Sequence, residues 1–305
     1  MHVPQIIAQP YNDLALQFGE WRGVPSVQPR NMEAISEKYD GHTPNERIVR
    51  LGQAGSSLIL SPQVIISDET TDEILEHTSS GGVLLLLFNH FKLIDPLILS
   101  AVMQQEPAFE AVRHNIIIPA KTIIFRIPGI RYLADGMGAF PVLRDKDVSE
   151  KDGTVSKENK AAQLASGKFT INLMVNHLVG KNGDAGSDED AGDEQKAENL
   201  EGEEKKPGSA ALLAEGERNK GNPLIVQDFK GGAVHIYQKA RRKGAKVAIM
   251  TGGVVYDAGS MSRATVHIGG LIEPKGKKLH EKSEDLRNAV QRSVSEAHRV
   301  GYRNK

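Results

Sequence analysis

The stretch Gly82-Val83-Leu84-Leu85-Leu86-Leu87-Phe88-Asn89-His90-Phe91-Lys92-Leu93-Ile94-Asp95-Pro96 decides how this chain is read. Val83 to Phe88 is the longest apolar run, and its length suits a buried strand rather than a membrane span. Asp95-Pro96 then reads as a helix start over Pro96 to Gln105. Aspartate is a favoured N-cap, and proline at the first helical position has no amide hydrogen to leave unsatisfied. His90 therefore stands on a strand-to-helix turn, the place where α/β sheets present ligands beyond the carboxyl ends of their strands. An aspartate five residues on can fold back and accept the imidazole N–H. That contact fixes the tautomer and leaves the other nitrogen able to take a proton from an alcohol. Taken alone the pair has a plainer reading, in which Asp95 only caps a helix and His90 is a loop histidine.

Working outward, short apolar runs and turn formers predict further strands at Ser57 to Ser67, Asn115 to Pro119, Gly138 to Leu143, Ala210 to Ala214, Lys246 to Val255 and Ala264 to Ile272. Helices are predicted at Lys121 to Phe125, ended by Pro128-Gly129, and at Lys157 to Leu178. Two more are predicted at Phe229 to Lys243, with Gly244 as its C-cap, and at Ser283 to Val300, where Leu286, Val290, Val294 and Ala297 recur at helical spacing. The expected architecture is one α/β domain over residues 57–305, with a mixed, mostly parallel sheet flanked by helices. Residues 1–56 are expected to be an irregular arm with a short helix near Tyr11 to Phe18. Residues 180–208 hold Gly, Asp, Glu, Lys and Ala with Leu200 as their only large apolar residue, so a disordered acidic insertion is expected there. No internal repeat is present.

Composition bounds the function. The 305 residues are 39% hydrophobic and 25% charged, enough for a sizeable soluble core. The absence of cysteine excludes disulfides, thiolate nucleophiles and cysteine-based zinc sites. The N-terminus lacks the basic-then-apolar pattern of a signal peptide and no apolar stretch reaches about 18 residues, so a cytoplasmic protein whose membrane contact is peripheral is expected. The net charge of −1 hides a polarised layout. Residues 181–206 carry ten acids and four bases, whereas residues 230–305 carry sixteen bases and six acids. The basic end is either a solvated helical surface or an attractor of anionic headgroups and phosphorylated substrates.

Several chemistries find no motif. There is no Gly-x-Ser-x-Gly elbow and no Walker loop, and the Gly136-x-Gly138 pair lacks its third glycine at Pro141. His177, His235 and His267 lack metal-ligand spacing, so no metal and no cofactor are expected, and no nucleic-acid partner.

Four ordered blocks resemble the glycerolipid acyltransferase family, which includes lysophosphatidate and glycerol-3-phosphate acyltransferases. Asn89-His90 with Asp95 matches its Asn-His-x4-Asp in full. Gly138-Ala139-Phe140-Pro141-Val142-Leu143-Arg144-Asp145 is similar to its small-residue strand ending in arginine. Glu215-Gly216-Glu217-Arg218 is similar to its Glu-Gly-Thr-Arg. Val247 to Val255 is similar to its last, apolar strand. The resemblance implies acyl transfer from a coenzyme A or acyl-carrier-protein thioester to a glycerol-phosphate hydroxyl, with His90 as base and Asp95 as its orienter. It further implies that Arg144 and Arg218 grip the acceptor phosphate, in a pocket shaped by Glu215 and Gly216. The guanidinium fork suits that task, and glycine lets backbone amides approach an anion. Three departures bear on the acceptor: Leu213-Ala214 where the family has Phe-Pro, Glu217 where it has threonine, and Met250-Thr251-Gly252-Gly253 where a proline is usual. Another lysophospholipid or glycolipid acceptor, or a non-catalytic lipid-binding relative, are the alternatives.

Overall fold

A computed structural model describes residues 31–126, 128–143, 156–180, 205–213, 222–229, 231–257, 260 and 263–303. Seven strands form one sheet: β1 (Gln63–Ile65), β2 (Val83–Phe88), β3 (Ile116–Lys121), β4 (Ala139–Val142), β5 (Ser209–Leu213), β6 (Val247–Tyr256) and β7 (Ala264–Ile272). Their order is β1-β7-β6-β2-β5-β3-β4. Every pairing is parallel except β6 with β7. The mixed, mostly parallel sheet is thus the one expected.

β2 lies near the middle because its sequence can be buried on both faces, as a central parallel strand must be. Val83, Leu85 and Leu87 point into one apolar layer, and Leu84, Leu86 and Phe88 into the other. Burying each of its leucines contributes about 1.5–3 kcal/mol. The first layer is closed by α1 (Met32–Tyr39), α6 (Lys157–Val179), α7 (Gly232–Arg242) and α8 (Leu279–Arg303). The second is closed by α3 (Asp68–Ser79) and α4 (Asp95–Gln105). α2 (Glu46–Ile59) packs against α4 and also against α5 (Pro128–Gly136). α4 stops where Glu106 turns extended before Pro107, since a residue preceding proline avoids the helical region.

Four local expectations are corrected. The expected irregular arm contains two helices: α1 buries Ile35 and Tyr39, and α2, which begins within it, is capped by Asn45, whose side chain accepts from the amides of Arg47 and Ile48 at 3.1 and 3.3 Å. The strand read over Ser57 to Ser67 shrinks to β1, because the apolar Leu58 and Ile59 that suggested it are exposed at the end of α2. Ser67 is the N-cap of α3, accepting from the Thr70 amide at 3.1 Å, and that helix was missed. Pro128 opens α5 instead of ending the preceding turn, as its missing amide hydrogen allows. The short helix at Tyr11 to Phe18 and residues 181–204 of the insertion lie outside the described residues.

Two adjacent glycines on β6 explain one departure noted above. A Cβ on Gly252 would lie 1.9 Å from the Phe88 ring, and one on Gly253 would lie 2.2 Å from the backbone nitrogen of Val294 on α8. The Gly252-Gly253 pair therefore serves close packing on both faces of the sheet, next to the end of β2.

Candidate active site

β2 ends at Phe88, which pairs with Gly252 of β6 on one side and Leu213 of β5 on the other. β6 runs four residues further, so the turn that follows β2 lies alongside a strand that is still extended. Asn89 uses this. Its buried side chain accepts from the Val254 amide at 2.7 Å and donates to the Val254 carbonyl at 3.0 Å. One side-chain amide thus replaces the next rung of the ladder and ties the turn to β6.

His90 comes next, 8% exposed, with Nδ1 at 2.9 Å from Oδ2 of Asp95. Asp95 is fully buried, and the same oxygen also accepts the backbone amides of Phe91 and Lys92 at 2.7 and 2.8 Å. Its other oxygen, Oδ1, accepts the Tyr256 hydroxyl in a short bond. Four donors converge on one carboxylate and fix its plane within the turn. The expectation that Asp95 caps α4 is corrected: Ile94 is the N-cap, Asp95 is the first helical residue, and its side chain folds back into the turn. Those donors are better partners than the helix amides, so the plainer reading of Asp95 as a capping residue fails on geometry.

An acceptor at Nδ1 holds the imidazole in the tautomer whose lone pair is on Nε2. A histidine so arranged can take a proton from a hydroxyl and later return it.

Tyr256 and Lys92 complete the site and were not singled out from the sequence, whereas Asn89 belongs to the first of the four blocks. The Tyr256 ring packs near Phe91, with centroids 6.5 Å apart, and Lys92 Nζ lies 4.0 Å from its centroid while donating to the Ser260 carbonyl. Burial, with the Asp95 carboxylate beside it, pushes the Tyr256 phenol far above its ordinary range, so it stays a neutral donor. Only the neighbouring of β2 and β6 brings Tyr256 to Asp95, and no spacing in the chain announces that.

Arg144, Glu215, Gly216 and Arg218 lie outside the described residues. The strands that lead to them, β4 and β5, run parallel with β2 within the sheet and end on the same edge as His90. Among the described residues no group of acidic or histidine side chains could hold a metal ion, and no helix is long and apolar enough to cross a membrane.

Comparison with known families bears on this geometry. The model of the Acyltransferase family matches residues 69–255, a span that contains His90, Asp95 and β6 as far as Val255. The chain belongs to that family, the glycerolipid acyltransferases, and is an O-acyltransferase. No curated protein matches it.

Proposed function

We propose that this protein moves a fatty acyl group from a coenzyme A or acyl-carrier-protein thioester to the hydroxyl of a lysophosphatidate-type glycerol phosphate, a step of phospholipid synthesis. The observation that carries the reading is the buried His90–Asp95 pair at the carboxyl end of β2. His90 Nε2 removes the acceptor's hydroxyl proton as the oxygen attacks the thioester carbonyl. The tetrahedral intermediate then collapses, the carbon–sulfur bond breaks, and the imidazolium returns the proton to the departing thiolate. Asp95 holds the ring in place and offsets the imidazolium charge. Arg144 and Arg218 take the acceptor phosphate, with Glu215 and Gly216 beside them, on the strength of the second and third blocks alone.

A lipid acceptor calls for a lipid surface, and the exposed apolar side chains support one. Leu58 and Ile59 end α2 at 86% and 77% exposure, while Leu93 and Leu97 flank Asp95, Ile123 follows β3 and Ile130 lies on α5. Lys92 and Lys121 lie in the same stretches, whereas Arg131 is buried beside Asp135 and Asp95 is buried in the turn. Exposed apolar side chains of this kind suit a bilayer surface, on which the protein would lie peripherally at the cytoplasmic side.

Glu217 in the third block favours a second reading of the acceptor alone, because it adds a negative charge where a phosphate would bind. A panel separates the two: one labelled acyl-CoA offered with lysophosphatidate, glycerol 3-phosphate, other lysophospholipids and a phosphate-free glycolipid. The proposal predicts highest kcat/KM with lysophosphatidate. Preference for the phosphate-free acceptor would move the assignment to the second reading.

A further inference from the structure

We propose that Tyr256 is a positioning residue of the acyl-transfer site, holding the plane of the Asp95 carboxylate and setting the basicity of His90. The inference rests on His90 being the base. Its starting point is an imbalance between the two oxygens of Asp95. Oδ2 receives His90 Nδ1 and the amides of Phe91 and Lys92, all local to the turn. Oδ1 receives only the Tyr256 hydroxyl among the described residues, and that donor comes from 161 positions away. Asp95 is fully buried, so without Tyr256 one carboxylate oxygen would sit desolvated with no donor.

The fold is built to deliver this hydroxyl. β6 continues from Gly252, its last residue paired with β2, to Tyr256, which is still held by pairing with Ala264 of β7. That overhang carries the phenol past the His90 turn. The ring is then fixed by Phe91 on one side and the Lys92 ammonium on another, and Lys92 is itself tied to the Ser260 carbonyl. Phe91 and Lys92 are also the residues whose amides bind Oδ2, so the same two residues hold both ends of the carboxylate's environment.

The consequence for chemistry has a sign. A neutral donor on Oδ1 withdraws charge from the carboxylate and weakens its pull on an imidazolium at Nδ1. Removing the donor leaves a more demanding carboxylate, which favours protonated His90 and moves the loss of activity in acid to higher pH. It also frees the carboxylate to rotate, which lowers turnover without touching substrate binding.

The test compares wild type, His90→Ala, Tyr256→Phe and a chain with 3-fluorotyrosine inserted at position 256. Acyl transfer from acyl-CoA is followed across pH, with thermal melting alongside. Tyr256→Phe should stay folded, lose about tenfold in kcat with KM changed less than about twofold, and show its acid limb displaced upward. The fluorinated phenol, a stronger donor, should displace that limb downward. An inactive His90→Ala with a Tyr256→Phe of wild-type kcat and unmoved limb overturns the proposal while leaving the base assignment standing. Activity retained in His90→Ala overturns the base assignment and the proposal with it. If Tyr256→Phe does not fold, the fluorotyrosine chain decides, and an unmoved limb there overturns the role.

Discussion

Replacing Asn89 by alanine should unfasten the catalytic turn from the sheet, and the size of the effect follows from two hydrogen bonds. The Asn89 amide satisfies both backbone groups of Val254, at 2.7 and 3.0 Å, beyond the last β2–β6 pair. Val254 is 1% exposed, so water does not replace the lost partner. A buried backbone group left unpaired costs about 1–3 kcal/mol, and two of them cost about 2–6 kcal/mol. In a domain of this size that lowers the melting temperature by about 5–15 °C. Asn89→Asp separates the two bonds. The carboxylate still accepts from the Val254 amide but faces the Val254 carbonyl with no proton to offer, so its stability should lie at or below that of the alanine variant. Urea unfolding of the three proteins measures the difference, and acyl transfer assayed below the transition reports on the turn itself. The alanine variant should lose activity even where it is fully folded, because His90 is the next residue. A change under about 0.5 kcal/mol, with wild-type turnover, would refute the idea that the Asn89 amide acts as a rung of the sheet.

Two other perturbations have signs fixed by the structure. Asp95→Asn keeps an acceptor for His90 Nδ1 but removes the charge that offsets an imidazolium. Opposite charges about 4 Å apart at an effective dielectric of 20 are worth about 4 kcal/mol, so kcat should fall by up to about a thousandfold, measured at saturating acyl-CoA and acceptor. His42 and His177 are each held down to about 4 by burial, whereas an unfolded histidine titrates near 6.5. The unfolded chain therefore binds more protons between these values, and stability from this source is present above about pH 6.5 and lost as pH falls toward 4. Chemical denaturation at pH 7.0 and 4.5 should show that loss, and His177→Gln should flatten it.

Much of the fold was legible because its signals are local. The run Val83 to Phe88 could only be a strand buried on both faces, and the Leu286, Val290, Val294, Ala297 spacing could only be the inner face of α8. What misled were segments whose apolar residues are not buried. Leu58 and Ile59 imitate a strand yet are exposed at the end of a helix, and Pro128 looks like a stop where it is a start. The chemical centre was half legible. His90 and Asp95 lie within one turn, so spacing alone suggested their contact. Asn89 to Val254 and Tyr256 to Asp95 join positions more than 160 apart, and only the order of strands in the sheet brings them together.

The central claim is that His90 carries a direct acyl transfer from thioester to alcohol. Rapid-quench analysis with acyl-labelled thioester and lysophosphatidate, run on wild type and His90→Ala together, tests it most directly. Wild type should form labelled ester in step with free thiol and leave no label on the protein, while His90→Ala, equally folded, forms neither. Ester formation at the wild-type rate by the alanine variant, or label accumulating on the chain, would contradict the account.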